Sequence, residues 1–419
     1  MKKSIFVLPT SLLLCFSAIS AQAADETSVI DMVGVNNSVA KSKSASQRSL
    51  LSSIRRNLTF SRIGNDYIAL KNYLQKQYGF DFAFDISYMG QRGAPNGKKN
   101  SMQTIYYPSF TWTMLNNNYG TATLNAAYNA VRYGGISGQK LGQKIGAVTQ
   151  INDYATPSNA FDELYLSYQL GGKFNWLTIA AGQFPLYNFD GTAYDANQQV
   201  NFINYALSQN ATSTYPTSSL GAYAQIAPNN LWNFAFGAQN AYNITGSSVQ
   251  FSHFDDNHYT TFASFAYTPT ISKLGSGQYS IMIYNQPSVL QQPEDTTGWS
   301  LNLSQNFGEK LSLFGRVNGV SGSVSDIGQS WVLGGVYNNP LDRNPLDQIG
   351  LAFAYNKIDK KAVGTNLAHD NEKIIETYWA WGISKWMTIT PDIQFYIDPA
   401  ENQKSDYATV FTLRSTFFF

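Results

Sequence analysis

Few residues of this chain are placed for covalent or metal chemistry. The histidines are His253, His258 and His369, and the segment HFDDNH could hold a metal only through His253, Asp256 and His258. A solvated loop between two strands is the better interpretation of that segment. No G-x-S-x-G or H-E-x-x-H motif occurs, and the Gly/Lys stretch 134–146 lacks the Gly-Lys-Ser/Thr ending of a phosphate-binding loop. We therefore predict neither an enzyme nor a bound metal or cofactor.

A second set of residues has the chemistry of hydrogen bonding to a polar solute. Arginines and carboxylates that face one another can bind hydroxyl groups, and amide and phenol side chains add donors and acceptors. Spacing by two along predicted strands puts several such residues on one face. They are Arg316, Arg414, Glu163, Asp81, Asp85, Asp392, Gln394 and Tyr396. The alternative for each is a structural ion pair between neighbouring strands.

These residues lie in segments that alternate with a period of two. In residues 80–88, aromatic and aliphatic side chains occupy every second position, while small or acidic residues occupy the others. Residues 349–356, 387–396 and 407–419 repeat the pattern. Alternate side chains of a strand point to opposite faces of the sheet. Each of these strands therefore has one apolar face and one small or polar face.

The pattern predicts sixteen strands. The connections after the even-numbered strands are mostly tight, and those after the odd-numbered strands are longer, notably 132–160 and 185–218. Short turns on one rim and long loops on the other are typical of an outer-membrane barrel. We predict an all-β fold, a transmembrane antiparallel β-barrel, with strands at 79–90, 103–116, 119–131, 161–171, 175–184, 219–227, 231–240, 258–269, 276–286, 297–307, 310–320, 328–338, 347–357, 373–384, 387–397 and 406–419.

The composition excludes several other classes of protein. The 419 residues include 28 Lys or Arg and 27 Asp or Glu, and a net charge of +1 gives no reason to expect a nucleic-acid partner. No run of 18 or more apolar residues follows the N-terminal segment, which excludes a bundle of membrane-spanning helices. An aromatic content of 15% argues against global disorder.

The N-terminal segment predicts export. Lys2 and Lys3 precede an apolar stretch at 5–19, and Ala21-Gln22-Ala23 forms an A-x-A cleavage site, so residues 1–23 have the features of a signal peptide. Cys15 is the only cysteine and would leave with it. The mature chain would then contain no disulfide and no Cys-ligated metal.

Two segments are predicted before the first strand. Residues 24–65 are Ser-rich, carry six Lys or Arg and no acid between Asp31 and Asp66, and predict a flexible basic arm. Residues 66–77 predict a short helix with Asp66 as its N-cap. That helix would lie on the short-turn rim or enter the lumen, at the start of a barrel domain covering 66–419.

A barrel of sixteen strands is wide enough to leave an aqueous channel. The predicted activity is passive diffusion of small hydrophilic solutes, and a long loop folded inward, either 132–160 or 185–218, would narrow the channel. The predicted inner face carries two arginines and four carboxylates, and this mixture of charges predicts weak ion selectivity.

The C-terminal part carries a resemblance to a known family. The stretch from Trp379 to Ala400, in which Pro391 to Gln394 is followed by Asp398-Pro399, resembles carbohydrate-selective porins of the OprB type. Residues 66–90, and Asp162 to Tyr165 leading to 181–184, fit more loosely. Such proteins often carry a Trp-Gly-Gly-x-Arg run before the helix, and this chain does not. The resemblance implies a sixteen-stranded outer-membrane channel with a preference for sugars such as glucose.

We therefore expect a porin in the outer membrane of a Gram-negative bacterium. Its expected partners are sugars and outer-membrane lipids, and a homo-oligomer is left open. The alternatives are a general non-specific porin, or a surface protein that acts as an adhesin or a hydrolase. A hydrolase would need a histidine paired with Ser or Asp at the barrel rim, which only 253–258 offers.

Overall fold

The computed structural model describes the backbone of residues 62–66 and all atoms of residues 67–95, 99–253, 256–364 and 367–419. The predicted signal peptide lies outside the described residues. The predicted basic arm does so as well, up to residue 61.

Sixteen antiparallel strands form the wall of the molecule. In chain order, β1 to β16 are Phe80–Ala94, Ser101–Asn117, Gly120–Gly135, Ser158–Leu170, Leu177–Phe184, Ser219–Ile226, Trp232–Asn240, Tyr259–Tyr267, Gly275–Gln286, Thr296–Phe307, Leu311–Val320, Ile327–Asn338, Gln348–Ile358, Asn371–Ser384, Met387–Ile397 and Tyr407–Phe418. A two-residue pairing at Thr270–Ile271 extends the hairpin between β8 and β9. Every predicted strand overlaps an observed one, which confirms the all-β barrel.

The sheet closes because β1 pairs with β2 on one side and with β16 on the other. Ile86 of β1 lies opposite Tyr106 of β2 and opposite Phe417 of β16. Each strand of the barrel thus has two neighbours. Closure satisfies the backbone hydrogen bonds that an open sheet edge would leave unpaired in lipid.

The side chains of each strand alternate between the interior and the outer surface. In β15, Asp392 is 2% exposed and Gln394 is fully buried, whereas Ile393 and Phe395 are 43% and 37% exposed on the outer face. The outer face is apolar because it would contact hydrocarbon, where an Arg or Lys near the midplane costs about 2–4 kcal/mol. The polar face is left for the interior.

The described residues include four α-helices besides the strands: α1 (Arg62–Tyr78), α2 (Gly138–Ile145), α3 (Tyr205–Ser208) and α4 (Lys360–Val363). The first begins four residues before the predicted start, so Asp66 lies inside the helix and the prediction of an N-cap there was wrong. Helix α2 occupies a Gly/Lys stretch for which no helix was predicted. Its N-cap is Ser137, whose hydroxyl accepts the N–H of Lys140. None of the described helices is long and apolar enough to cross a membrane.

Helix α1 lies on the short-turn rim. The ring of Tyr67 makes edge contacts with Phe82 of β1 and with Trp386 in the turn between β14 and β15. The chain then enters β1 through Gly79, whose φ of +68° is the left-handed conformation that glycine adopts without strain.

Candidate functional site: the barrel interior

Two long loops fold into the barrel and meet the polar inner wall. The first inward loop joins β3 to β4 (136–157) and contains α2, and the second inward loop joins β5 to β6 (185–218) and contains α3. Asn152 of the first loop and Ile203 and Asn204 of the second are fully buried. These are the two loops that the sequence indicated as constriction candidates.

Glu372 of β14 holds the first inward loop. Its carboxylate accepts the backbone N–H groups of Val148 and Thr149, each at 2.8 Å, and that of Ala400 at 2.7 Å. A carboxylate that accepts two or three backbone N–H groups makes strong, charge-assisted hydrogen bonds. The loop is thereby fixed to the wall close to the C-terminal end of α2.

Glu376 holds the second inward loop in the same manner. Its two oxygens accept the N–H groups of Ile203 at 2.5 Å and Asn204 at 2.9 Å. The side chain of Asn204 also donates to Gln394 Oε1 at 3.1 Å and to the hydroxyl of Tyr396 at 2.6 Å. Both side chains from β15 were predicted to face inward, and the structure places them against the second loop.

Arg414 of β16 binds the backbone of the same loop. Its guanidinium donates to the carbonyls of Asn201 at 2.8 Å and Val200 at 2.9 Å, and also to that of Gln198. With 1% of its surface exposed, it is among the largest fully buried side chains. The structure therefore places this predicted site residue behind the second inward loop, and its donors to backbone carbonyls hold segment 198–201.

Arg316 of β11 lies in a chain of buried polar contacts. Its Nη2 is 2.8 Å from Asp195 Oδ2, and its Nε donates to Asn302 Oδ1 at 2.9 Å. Asn302 in turn donates to Asp190 Oδ1 at 2.8 Å. A Cβ at Gly191, where φ is +83°, would approach Arg316 Nη2 to 3.0 Å, so glycine permits this close approach.

Asp392 differs from its neighbours because its carboxylate oxygens make no hydrogen bond of standard geometry to the described residues, although the side chains of Glu376, Gln394 and Thr412 lie next to it. It is 2% exposed and lies opposite Tyr378 of β14 and Thr412 of β16. A buried carboxylate without partners is costly unless water or an ion satisfies it.

Glu163 of β4 faces inward and accepts a hydrogen bond from Asn188 Nδ2 of the second inward loop at 2.7 Å. A register shift turns its neighbour Asp162 inward as well, because Glu163 lies opposite Ala127 while Phe161 lies opposite Tyr128. Asp162 is 3% exposed. Strict alternation assigned it to the outer face, and a bulge of this kind leaves no clear signal in a single sequence.

Asp81 and Asp85 lie near the short-turn end of β1. Lys71 of α1 is 3.6 Å from Asp81 Oδ1 and is 1% exposed. Asp85 is 2% exposed, between Tyr107 of β2 and Phe418 of β16. The structure therefore brings these two acids together with a lysine of α1, far along the wall from Arg316.

An aromatic cluster fixes the opposite side of the second inward loop. Phe189 of the loop packs 4.6 Å from Phe262 of β8 and 5.1 Å from Tyr223 of β6, measured between ring centroids. Phe184 joins the cluster 4.9 Å from Tyr223. The loop thus crosses the interior between an aromatic wall and a charged wall.

The two inward loops contact each other through Asp153. Its N–H donates to Gln198 Oε1 at 2.8 Å, and its carboxylate accepts from the hydroxyl of Ser208. Burial raises the pKa of Asp153 to about 7, while the hydrogen bonds from Ser208 and Gln209 act in the opposite direction.

Carboxylates outnumber basic side chains in the described part of the interior. The acids are Asp81, Asp85, Asp153, Asp162, Glu163, Asp190, Asp195, Glu372, Glu376 and Asp392, and the bases are Lys71, Arg316 and Arg414. The sequence prediction missed several of these acids. The alternation of inner and outer side chains along a strand would have predicted Glu372 and Glu376. Asp190 and Asp195 lie in a loop, which has no such pattern.

No group of three or more His, Cys, Asp or Glu residues is placed to hold a metal ion in the ranges that the structure describes. His253 pairs with Asp256 at 2.7 Å in the loop after β7, with half of its side-chain surface exposed. The interior contains many hydrogen-bonding groups and fixed charges, and groups of this kind can make a pore selective.

Comparisons with known proteins agree with this architecture. The family described as "Carbohydrate-selective porin, OprB family" matches residues 246–419. "Porin AaxA" of Chlamydia abortus is 37% identical over 357 residues, which cover 83% of this chain and 79% of that protein. "Porin AaxA" of Chlamydia pneumoniae is 35% identical over 389 residues, which cover 90% of this chain and 88% of that protein.

A solved structure supports the fold. The "High pH structure of Pseudomonas putida OprB" superposes with a TM-score of 0.69 at 15% identity and covers 84% of this chain and 97% of that one. At that identity the likeness concerns the fold alone.

Proposed function

Since the chain belongs to the carbohydrate-selective porin family of the OprB type, and is thus a porin of the outer membrane, we propose that neutral carbohydrates are the solutes that diffuse through it. The main support for this proposal is the second inward loop. Its polar backbone and side chains cross the barrel between the aromatic wall and the charged wall. A sugar that passes such a constriction can exchange hydrogen bonds to water for hydrogen bonds to protein.

We further propose that the eight polar residues chosen from the sequence shape this path. Arg316 and Arg414 contribute by holding the second inward loop, to which both donate. Asp392 contributes at the wall behind this loop, where its carboxylate would accept hydrogen bonds from water. Diffusion needs no chemical step, and we propose no catalytic role for any of these residues.

A second candidate solute is a small cation. The excess of carboxylates over basic groups in the described interior supports it, since a narrow passage lined with one sign of charge attracts the opposite sign. The same hydrogen-bond acceptors serve the hydroxyl groups of sugars and the N–H groups of cations. The two candidates differ in how strongly the charge of the lining affects uptake.

Planar-bilayer recordings distinguish these functions. Neutral sugars added at millimolar concentration should reduce the ion current of the purified mature chain in a dose-dependent way if they occupy the constriction. A small organic cation, tested at equal concentration, should reduce the current more strongly if cations are the preferred solutes. A channel whose current neither class reduces would be a general porin, and the proposal of carbohydrates would be wrong.

We also propose where the exported chain begins and what surrounds it in the membrane. The mature chain is proposed to begin at Ala24 and to contact outer-membrane lipid through its apolar outer face, alone or as a homo-oligomer. Sequencing the N-terminus of protein from isolated outer membranes tests the cleavage site.

A further inference from the structure

One sector of the barrel contains basic residues and no acids. From Ile86 through Gln150 the sequence has no Asp or Glu, and it has six basic residues: Arg92, Lys98, Lys99, Arg132, Lys140 and Lys144. This stretch forms most of β1, all of β2 and β3, and α2. Acids and bases are nearly balanced over the whole chain, so a stretch of this length without an acid stands out from the rest of the sequence.

Two of these arginines point away from the interior at the long-loop ends of their strands. Arg92 of β1 is exposed while its neighbour Gln91 is 2% exposed on the inner face. Arg132 of β3 is exposed beside Val131, which is fully buried on the inner face. Lys99, in the loop that joins β1 to β2, is exposed at the same rim. We call Arg92, Lys99 and Arg132 the basic rim patch.

Among the residues that the structure describes, Arg132 is held in place by neutral groups only. Its Nη1 donates to the carbonyls of Val131 at 2.9 Å and Ser158 at 3.1 Å, and its Nη2 donates to Asn159 Oδ1 at 2.7 Å. Its charge is therefore oriented, and no acid in the described ranges neutralises it. Elsewhere on this rim, Lys373 is paired with Asp398 at 2.5 Å. The contrast marks Arg132 as a cation available to an anion from outside the chain.

The outer surface around Arg132 is apolar and aromatic. Tyr88 of β1, 38% exposed, is in register with Arg132 across β2, and Met102 of β2, 54% exposed, lies opposite Gly134, two residues nearer the rim. Phe161 of β4, 38% exposed, lies opposite Tyr128, deeper along the wall than Arg132. The rings of Tyr128 and Phe161 pack 5.0 Å apart on the outer surface. Aromatic residues of this kind form the interfacial girdle of an outer-membrane barrel, so the patch lies at the level of the headgroups.

We propose that the basic rim patch binds the phosphate of an anionic lipid in the outer leaflet. Acyl chains would lie on the apolar wall, and the phosphate would accept hydrogen bonds from the remaining donors of Arg132, with Arg92 and Lys99 adding charge. Near a membrane surface each Lys or Arg strengthens binding to an anionic lipid. A second copy of the chain that presented the same patch would be repelled, which favours the lipid over a symmetric contact through this face.

The test uses the full mature chain in detergent with lipid A as the probe, and dephosphorylated lipid A as the reference. The variant R92Q/R132Q removes two charges from the patch, and the control K357Q/K361Q removes two exposed charges near the end of β13. Native mass spectrometry measures lipid retention. Heat-dependent gel mobility and single-channel conductance confirm that each variant is folded.

The expected result is retention of lipid A by the wild type and the control, and retention about tenfold weaker in R92Q/R132Q. Dephosphorylated lipid A should be retained weakly by all three proteins. Equal retention of lipid A by R92Q/R132Q and the wild type, or equal retention of the two probes by the wild type, would overturn the proposal. A change in oligomer mass without a change in lipid retention would also overturn it, since the patch would then lie between copies of the chain.

Discussion

Glu372 and Glu376 lie four residues apart on the inner face of the same strand, and each accepts backbone N–H groups from a different inward loop. Glu372 binds Val148 and Thr149, and Glu376 binds Ile203 and Asn204. Because residues i and i+4 of a strand share a face, one short stretch of the wall determines where both loops lie.

Replacing the carboxyl of Glu376 with an amide should loosen the second inward loop. Only one oxygen remains to accept a backbone N–H in E376Q, and leaving a buried donor without its acceptor costs about 1–3 kcal/mol, so the population of loop-released states should increase roughly tenfold or more. Single-channel recordings should show a larger or noisier open current. E309Q, at an exposed turn, is the matched control and should leave the current unchanged. Identical currents in E376Q and wild type would show that the loop is held by other contacts.

Arg414 and Glu376 should be energetically coupled. Both bind the segment 198–204, one through carbonyls and the other through N–H groups, so the second substitution should cost less once the first has released the segment. A double-mutant cycle with R414Q and E376Q, read out as the rate of proteolysis within the loop, measures the coupling. Strictly additive effects would indicate that the two residues act on independent parts of the loop.

The channel should prefer cations to anions. The sequence alone predicted weak selectivity from two inward arginines and four inward carboxylates, but the described interior adds Asp153, Asp162, Asp190, Asp195, Glu372 and Glu376. Reversal potentials in a salt gradient measure this preference. An anion-selective current would mean that Arg316 and Arg414 dominate the passage despite their burial.

Cation preference should increase with pH around neutrality. The pKa of Asp153 is raised by burial to about 7, so this carboxyl is mostly neutral at pH 5.5 and ionised at pH 8.5. Because the folded-state pKa lies above the ordinary value, the contribution of Asp153 to the free energy of unfolding should fall as pH rises from about 4 to about 7 and should stay level above that. In D153N, the part of the selectivity change centred near pH 7 should disappear. A pH profile that D153N leaves unaltered would assign the titration to another group.

Thiol labelling tests which face of a strand contacts water. Ser167 and Leu166 of β4 are adjacent, and their side chains lie on the inner and outer faces respectively. A cysteine in S167C should react with a water-soluble thiol reagent, and one in L166C should not. A cysteine in D392C should react only slowly, because Asp392 is 2% exposed behind the second inward loop. Equal reactivity at 166 and 167 would contradict a membrane-facing wall.

Most inward-facing side chains of the strands could be predicted from the alternation of side chains along each strand. The side chains of Asp392, Gln394 and Tyr396 alternate with Ile393 and Phe395, and the structure places the first three on the inner face. The same rule applied to β14 would have identified Glu372 and Glu376. It failed at Asp162, because a shift of one residue in the pairing with β3 reverses the face of a side chain.

The strands, their two faces and the difference between the two rims could all be predicted from the sequence. These features are local, since a period of two and the length of a connection can be read along the chain. The entry of both long loops into the barrel, and the wall residues that hold them, became visible only in the folded structure. The contact of Val148 with Glu372 joins residues 224 positions apart, and that of Arg414 with Asn201 joins residues 213 apart. Such pairs cannot be read along the chain, because it is the closed barrel that places distant strands and loops at the same depth.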